Sequence, residues 1–247
     1  MADPRRHLNR IAAGARRESG WRWMIGVILV LASVAGLHAQ TAANTPAVRF
    51  TVFAAKPVSD LAYVVRAGTP PQKLAFYPTA RSPRYEYRGP MPLRFLDAGT
   101  GAVVAEATIP AGMRDALLLF TPLEAASAGG KASTLRYQVA VLDDSSARQA
   151  SGTVAIINLS GLTLSGTVNK ENVTLRAGLN PAIAAGRSAT IKLRTIFNKR
   201  EYQAYGATVP LAPKQRALVI LFPPFNKGSL EVQSRVLLDE PGSAPPR

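Results

Sequence analysis

The chain has 247 residues, of which 30 are Lys or Arg and 15 are Asp or Glu, so its formal net charge is +15. It contains no cysteine, which excludes disulfides, thiolate zinc sites, iron–sulfur clusters and cysteine nucleophiles. Hydrophobic residues make up 47% of the chain, which is enough for a packed core and argues against wholesale disorder.

The first 39 residues have the pattern of an export signal. Six arginines precede an apolar run of 14 residues from Met24 to Leu37. That length is short of the ~20 residues needed to span a bilayer and suits a signal peptide. We predict cleavage after Ala39, with Ala43 as a second site. The alternative is an uncleaved anchor, which would then be the chain's one contact with a membrane. The protein is therefore expected in the periplasm, on the outer cell surface or in the medium.

Removal of residues 1–39 leaves 24 basic and 13 acidic side chains, a net charge of +11, and no histidine. The absence of histidine excludes the Ser-His-Asp triad, histidine general bases and the usual catalytic zinc sites. No Ser-x-x-Lys sequence and no glycine-rich phosphate loop is present. We therefore expect a protein that is not an enzyme and that carries no cofactor or metal.

Two carboxylate pairs keep glycoside hydrolysis open as an alternative. They are Asp143-Asp144 and Asp239-Glu240, and each pair follows an apolar segment. Polar residues gather at strand ends because turns favour them. We therefore interpret both pairs as solvated strand ends or as part of a domain hinge.

Sequence patterns typical of β-strands follow one another along the rest of the chain. Alternating segments occur at 48–53, 93–96, 103–109 and 135–142, and continuous apolar segments at 116–120, 154–157 and 217–222. Pro- and Gly-rich breakers separate them, which is the pattern of a β-sandwich. Residues 177–187 are the one segment whose sequence is compatible with a short helical turn. No window of twelve residues has a convincing helical period.

An internal repeat runs through these segments. Leu93-Arg94 recurs as Leu193-Arg194, and Ala107-Thr-Ile-Pro110 recurs as Ala207-Thr-Val-Pro210, both at an offset of 100. The segments 114–120 and 138–143 match 216–222 and 233–239 in the same order. We interpret this order as a duplication, with convergent strand composition as the alternative.

The fold class predicted is all-β, with two tandem immunoglobulin-like or transthyretin-like β-sandwich domains after the signal peptide. The first domain is placed at 47–148 and the second at 150–241, followed by a disordered tail at 242–247. The polar join between them is short, so we expect the domains to stay in fixed contact. With its export signal and repeats, the segment 48–239 resembles the tandem β-sandwich repeat proteins that bacteria secrete. Several families of that kind have no assigned function, and the resemblance carries over no site residue.

Two clusters mix basic residues with aromatic ones, at 81–88 and 197–205. The basic residues that would bind an anionic ligand are Arg81, Arg84, Arg88, Lys199 and Arg200. Strand alternation sets Tyr85 and Tyr87 on the face opposite to the neighbouring arginines, so we favour tyrosines that pack inward and arginines that face water.

These observations predict a non-enzymatic, exported cell-envelope protein with a structural, adhesive or protein-interaction role. One alternative is a module that binds polysaccharide or another polyanion, and another is a periplasmic two-domain assembly chaperone whose sheet edges accept a strand. The expected partner is an envelope polymer or another protein. Nucleic acid is not expected as a physiological partner, because the signal directs the chain out of the cytoplasm.

Overall fold

The computed structural model describes residues 47–123 and 135–239. The predicted signal peptide and the predicted tail both lie outside these residues. Within them the chain contains strands and turns and no helix, so the predicted all-β class with separate sandwiches is confirmed.

The first half of the chain contributes two four-stranded sheets. Sheet A has the order β4-β1-β7-β8, and sheet B has the order β3-β2-β5-β6. The strands are β1 (Val48–Ala54), β2 (Leu61–Val64), β3 (Pro71–Lys73), β4 (Tyr85–Tyr87), β5 (Leu93–Asp97), β6 (Val103–Ala107), β7 (Asp115–Pro122) and β8 (Tyr137–Asp143).

The second half repeats this arrangement. Sheet C has the order β12-β9-β16-β17, with β13 also paired to β9, and sheet D has the order β11-β10-β14-β15. The strands are β9 (Thr153–Asn158), β10 (Leu164–Val168), β11 (Glu171–Leu175), β12 (Gly178–Leu179), β13 (Ile183–Ala184), β14 (Ser188–Phe197), β15 (Arg200–Pro210), β16 (Arg216–Pro224) and β17 (Val232–Asp239).

The strand orders of the two halves are equivalent. β1 pairs in parallel with β7, and β9 pairs in parallel with β16. The segments that repeat in the sequence lie on equivalent strands: 93–94 and 193–194 on β5 and β14, and 116–120 and 217–222 on β7 and β16. The last strand of the first half ends at Asp143 and the first of the second half begins at Thr153. The division into domains at 148 and 150 stays a prediction.

Three apolar layers hold the sheets in the order B, A, C, D. The first layer packs sheet A on sheet B around Phe50, Tyr63 and Phe95. The second packs sheet C on sheet D around aliphatic side chains such as Ile191 and Val219. The middle layer packs sheet A directly on sheet C.

The middle layer explains why some strands are apolar without alternation. Its members include Leu117 and Leu119 of β7, and Ile157 and Ile220 of β9 and β16. The intervening residues of β7 face sheet B instead, so β7 is buried on both faces. Strands buried on both faces have continuous apolar sequences. The two halves are therefore joined through a hydrophobic layer, in agreement with the expected fixed contact.

The segment 177–187 forms no helical turn, and that expectation was wrong. It supplies the short strands β12 and β13, both of which pair with β9. Asn180 holds the bend between them, since its amide nitrogen donates to the backbone oxygens of Ile156, Arg176 and Gly178. The free edge of β9 therefore decides the conformation of this segment.

Candidate functional site

A buried cluster of two arginines and two aspartates lies where the two halves meet. Arg216 begins β16, and its side chain is 1% exposed. Its Nε and Nη2 donate to the two carboxylate oxygens of Asp239, each at 2.9 Å. Nη2 also lies 3.1 Å from Oδ1 of Asp144. Nη1 donates to the backbone oxygens of Asp144 and Gln149, both at 3.1 Å. Arg216 thus binds the end of β17 to the segment that connects the halves.

Arg81 completes the cluster from the segment between β3 and β4. Its neighbour Ser82 fixes that segment on β1, because the Ser82 hydroxyl oxygen accepts from the amide of Val52 at 2.7 Å. The Arg81 side chain is 6% exposed, and its Nη1 donates to Oδ2 of Asp144 at 2.5 Å. Its Nε lies 3.7 Å from Oδ2 of Asp239. The two positive and two negative charges therefore balance inside the protein.

The surroundings of Arg216 keep it charged. Burial by itself lowers the pKa of Arg216, but the hydrogen bonds to Asp239 and the negative charge of Asp144 outweigh burial, and the net pKa is raised. A bidentate arginine–carboxylate pair is also the strongest and most directional of the ion pairs available to side chains. The cluster is therefore a fixed ionic connection.

A cavity of about 470 Å³ opens beside this cluster, between sheets A and C. Leu117, Leu142 and Leu218 line its apolar side. Its polar lining includes Gln149 and Asn180, which already bond to backbone oxygens of β16 and β9 at 2.6 Å and 3.2 Å. These amides are thus committed to holding the fold.

The structure gives the two carboxylates of the predicted pair Asp143-Asp144 different partners. Asp143 accepts from the amide of Ser145 at 3.0 Å and lies 3.5 Å from the Nε of Arg148. Burial alone would raise the pKa of Asp143, but the Ser145 bonds and Arg148 lower it further than burial raises it. Asp144 and Asp239 instead share Arg216, and Glu240 lies outside the described residues. The interpretation as solvated strand ends is wrong for Asp144 and Asp239, which are 9% and 19% exposed.

The basic residues of the first predicted cluster have three different surroundings. Arg81 is buried in the ionic cluster. Arg84 is half-buried, and Arg88 is exposed with its Nη2 3.8 Å from Oε2 of Glu86. Tyr85 and Tyr87 are buried in the first core, as alternation predicts. These arginines therefore do not form one exposed surface.

Lys199 and Arg200 of the second cluster lie at the tip of the β14–β15 hairpin. Phe197 pairs with Arg200 across a two-residue turn formed by Asn198 and Lys199. Both turn residues have positive φ, 49° and 62°, which matches the right-handed twist of the strands on either side. Among the described ion pairs none includes Lys199 or Arg200. Their charges are therefore free to face a partner.

The hairpin extends beyond the sheet that supports it. β10 pairs with β14 only from Ile191 to Arg194, whereas β14 continues to Phe197. Ile196 is 74% exposed and Phe197 53%. Phe197 lies on the side of β14 that faces the core. Thr195 is the last buried residue on that side. The exposed Phe197 results from a strand longer than the core it covers.

A second exposed aromatic residue lies at the same end of this half. The chain enters β16 directly from β15 through the turn at 212–215, so the β14–β15 turn and the β16–β17 loop lie at the opposite end. That loop contains Phe225, which is 84% exposed, and Lys227, which is exposed. The exposed side chains at this end, which we call the hairpin end, are Ile196, Phe197, Lys199, Arg200, Tyr202, Phe225 and Lys227.

Sequence reasoning identified Lys199 and Arg200 of the hairpin end but missed Ile196, Phe225 and Lys227. The dipeptides Ile196-Phe197 and Phe225-Asn226 next to turn residues were the available signal. It also missed the ion pairs of Arg216, because an arginine directly before a continuous apolar run has the same sequence pattern whether it faces water or a carboxylate.

No helix among residues 47–123 and 135–239 is long and apolar enough to cross a membrane. The same residues bring together no group of three His, Cys, Asp or Glu side chains that would hold a metal ion. No protein-family model and no curated protein matches the chain.

Proposed function

We propose that this chain is a non-enzymatic, exported cell-envelope protein with a structural, adhesive or protein-interaction role. The observation that carries the proposal is the joint between the halves. An apolar layer and a buried four-charge cluster connect sheets A and C. Separation of the halves would expose that layer and leave buried charges unpaired. Such a joint suits a rigid body that holds its outer surfaces at a fixed spacing.

A second candidate is a module that binds a polyanion. It is supported by Lys199 and Arg200, which face solvent without an ion pair among the described residues. The net charge of +11 over residues 40–247 would draw such a module to anionic polymers. Arg81 has no part in this proposal, because its guanidinium is buried and forms an ion pair with Asp144.

The chaperone alternative gains no support from the cavity between the halves. A basic cleft would favour it, whereas this cavity has Arg148 beside Asp143 and Asp144 in its lining. The chaperone role therefore stays a proposal that rests only on the free edges of the sheets. The longest edge strand is β15, with 11 residues.

Co-sedimentation of the purified chain with isolated cell envelopes, over a series of salt concentrations, tests these proposals. Binding that persists at high salt supports a protein-interaction role. Binding that falls steeply towards physiological salt, and that Lys199→Gln weakens, supports the polyanion candidate. If the chain stays in the supernatant at every salt concentration and chemical crosslinking captures no envelope component, the envelope role is refuted.

A further inference from the structure

The hairpin end combines exposed apolar side chains with exposed cations on two chain turns at the same end of the second half. Ile196, Phe197 and Phe225 are 74%, 53% and 84% exposed, and Tyr202 is 39% exposed. Lys199, Arg200 and Lys227 stand beside them and belong to none of the ion pairs found among the described residues. The nearest carboxylate on the hairpin, Glu201, is held by Arg194 at 2.7 Å. The local charge is therefore positive.

We propose that the hairpin end inserts into the headgroup layer of an anionic lipid bilayer and holds the protein on that surface. This inference rests on the proposed envelope location and names the partner. Tyr202 has the amphipathic ring that favours the headgroup level. Apolar side chains such as Phe197 and Phe225 lose contact with water at the boundary between headgroups and acyl chains. Lysine and arginine beside them bind the anionic headgroups.

The backbone of the hairpin suits a shallow insertion. Phe197 and Arg200 pair across the turn, and Ile196 pairs with Glu201. Every second pair of an antiparallel hairpin points its backbone groups outward, and β10 does not cover them past Arg194. Insertion is therefore confined to the headgroup layer, where water satisfies them. The two strands also continue past β10, which puts the apolar side chains ahead of the rest of sheet D.

The shape of the hairpin end favours a bilayer over a protein. A stable protein interface buries about 800 Å² on each partner, over a broad and continuous patch. Here the apolar side chains stand on a narrow two-stranded tip and on a separate loop, and each of these turns also contains exposed cations. A fluid headgroup layer can surround such a tip, whereas a rigid protein surface would need a matching pocket.

The chain has no native cysteine, which allows a single probe to be placed. Ile196→Cys labelled with the environment-sensitive dye NBD reports on the hairpin end. Ala212→Cys, exposed at the opposite end of the same half, is the matched label position. The full-length chain is mixed with vesicles of phosphatidylcholine containing 30% phosphatidylglycerol, or with phosphatidylcholine alone. Because the dye reports its own position, contacts made by the first 39 residues do not give the signal expected at 196.

The expected result is a blue-shifted, brighter emission from the label at 196 with anionic vesicles and an unchanged emission from the label at 212. Lys199→Gln should weaken the anionic-vesicle midpoint about fivefold, since each basic side chain near an anionic surface contributes about that factor. Lys214→Gln is the matched charge control, because Lys214 is exposed in the turn at the opposite end and has a similar φ of 66°. It should leave the midpoint unchanged.

Three outcomes would overturn the inference. In the first, the emission of the label at 196 does not shift with either kind of vesicle. In the second, the emissions of both labels shift equally. In the third, Lys199→Gln and Lys214→Gln weaken vesicle binding equally. A shift at 196 with an envelope protein fraction and none with vesicles would assign the hairpin end to a protein partner. The chain could also co-sediment with envelopes while the emission from the label at 196 does not change with vesicles. That result would overturn the lipid contact but not the proposed envelope role.

Discussion

Replacement of Arg216 by methionine tests whether the ionic cluster holds the two halves together. Methionine keeps the length of the side chain and much of its apolar volume, but it removes the guanidinium. The side chain is 1% exposed, so water cannot take the place of the lost donors. Both oxygens of Asp239 and the backbone oxygens of Asp144 and Gln149 would lose a partner at 2.9–3.1 Å.

The expected loss of unfolding free energy is about 3–5 kcal/mol, the usual cost of leaving one side of a buried ion pair uncompensated. Arg194→Met is the matched control. Arg194 also makes a short arginine–carboxylate contact, 2.7 Å to Glu201, but its side chain and that of Glu201 are 58% and 53% exposed. Solvent screens such a pair, and its removal should cost less than about 1 kcal/mol.

Urea unfolding followed by far-ultraviolet circular dichroism measures both variants, with equal slopes required for a valid comparison. A double variant, Arg216→Met with Asp239→Leu, separates lost packing from uncompensated charge. It leaves Arg81 and Asp144 as a balanced pair and should be more stable than Arg216→Met alone. The reasoning is refuted if Arg216→Met costs no more than Arg194→Met, or if the double variant is less stable than the single one.

Three further predictions test other parts of the fold. Leu117→Ala, in the middle layer, should lower the unfolding free energy by about 2–5 kcal/mol, whereas Leu238→Ala, at a side chain 42% exposed, should change it by less than about 0.5 kcal/mol. Gly166→Ala would put a Cβ atom 2.0 Å from a backbone oxygen of β14, so we expect a loss of about 1–3 kcal/mol. Gly99→Ala is the control in the same urea assay, because a Cβ atom at Gly99 would lie 3.4 Å from its nearest neighbour, Oδ1 of Asp97. Burial raises the pKa of the Tyr63 hydroxyl to about 12 from 10.0; the stability that the neutral hydroxyl supplies is complete below pH 10 and is lost as the pH rises through 12.

Each of these has an outcome that contradicts it. Equal losses in Leu117→Ala and Leu238→Ala would show that sheets A and C are not packed together in solution. A stable Gly166→Ala variant would mean that β10 and β14 lie farther apart than the structure has them. For Tyr63, unfolding free energies measured from pH 9 to 12 should fall less steeply in Tyr63→Phe. Identical slopes would contradict the raised pKa.

The local structure of the chain followed from its sequence. Alternation at 48–53 predicted a strand, and β1 forms there with Phe50 and Val52 in the first core. The alternation did not indicate that Phe53 on the opposite face is buried in the middle layer. The inward direction of Tyr85 and Tyr87 followed from the same two-residue period. Continuous apolar segments at 116–120 and 217–222 predicted buried strands, and both are central strands of their sheets. These features depend on neighbouring residues, so the sequence contains them directly.

The pairing between distant segments was decided only by the tertiary structure. A continuous apolar strand has two faces to bury, but its sequence does not say which sheet covers each face. Nothing local indicated that Leu117 and Ile220 would share a layer between the halves. Likewise, Arg216 is 72 residues from Asp144, and a charge beside an apolar run has the same sequence pattern whether it faces water or a carboxylate.

The hairpin end shows the same division between local and tertiary information. The sequence identified the cations at 199 and 200, because charge is a local property, but it did not predict the turn at 198–199. Whether Ile196 and Phe197 would be core residues or solvent-exposed ones depended on where the covering sheet ends. Strand length and sheet register are set by pairing over the whole fold, and only the tertiary structure left those side chains uncovered.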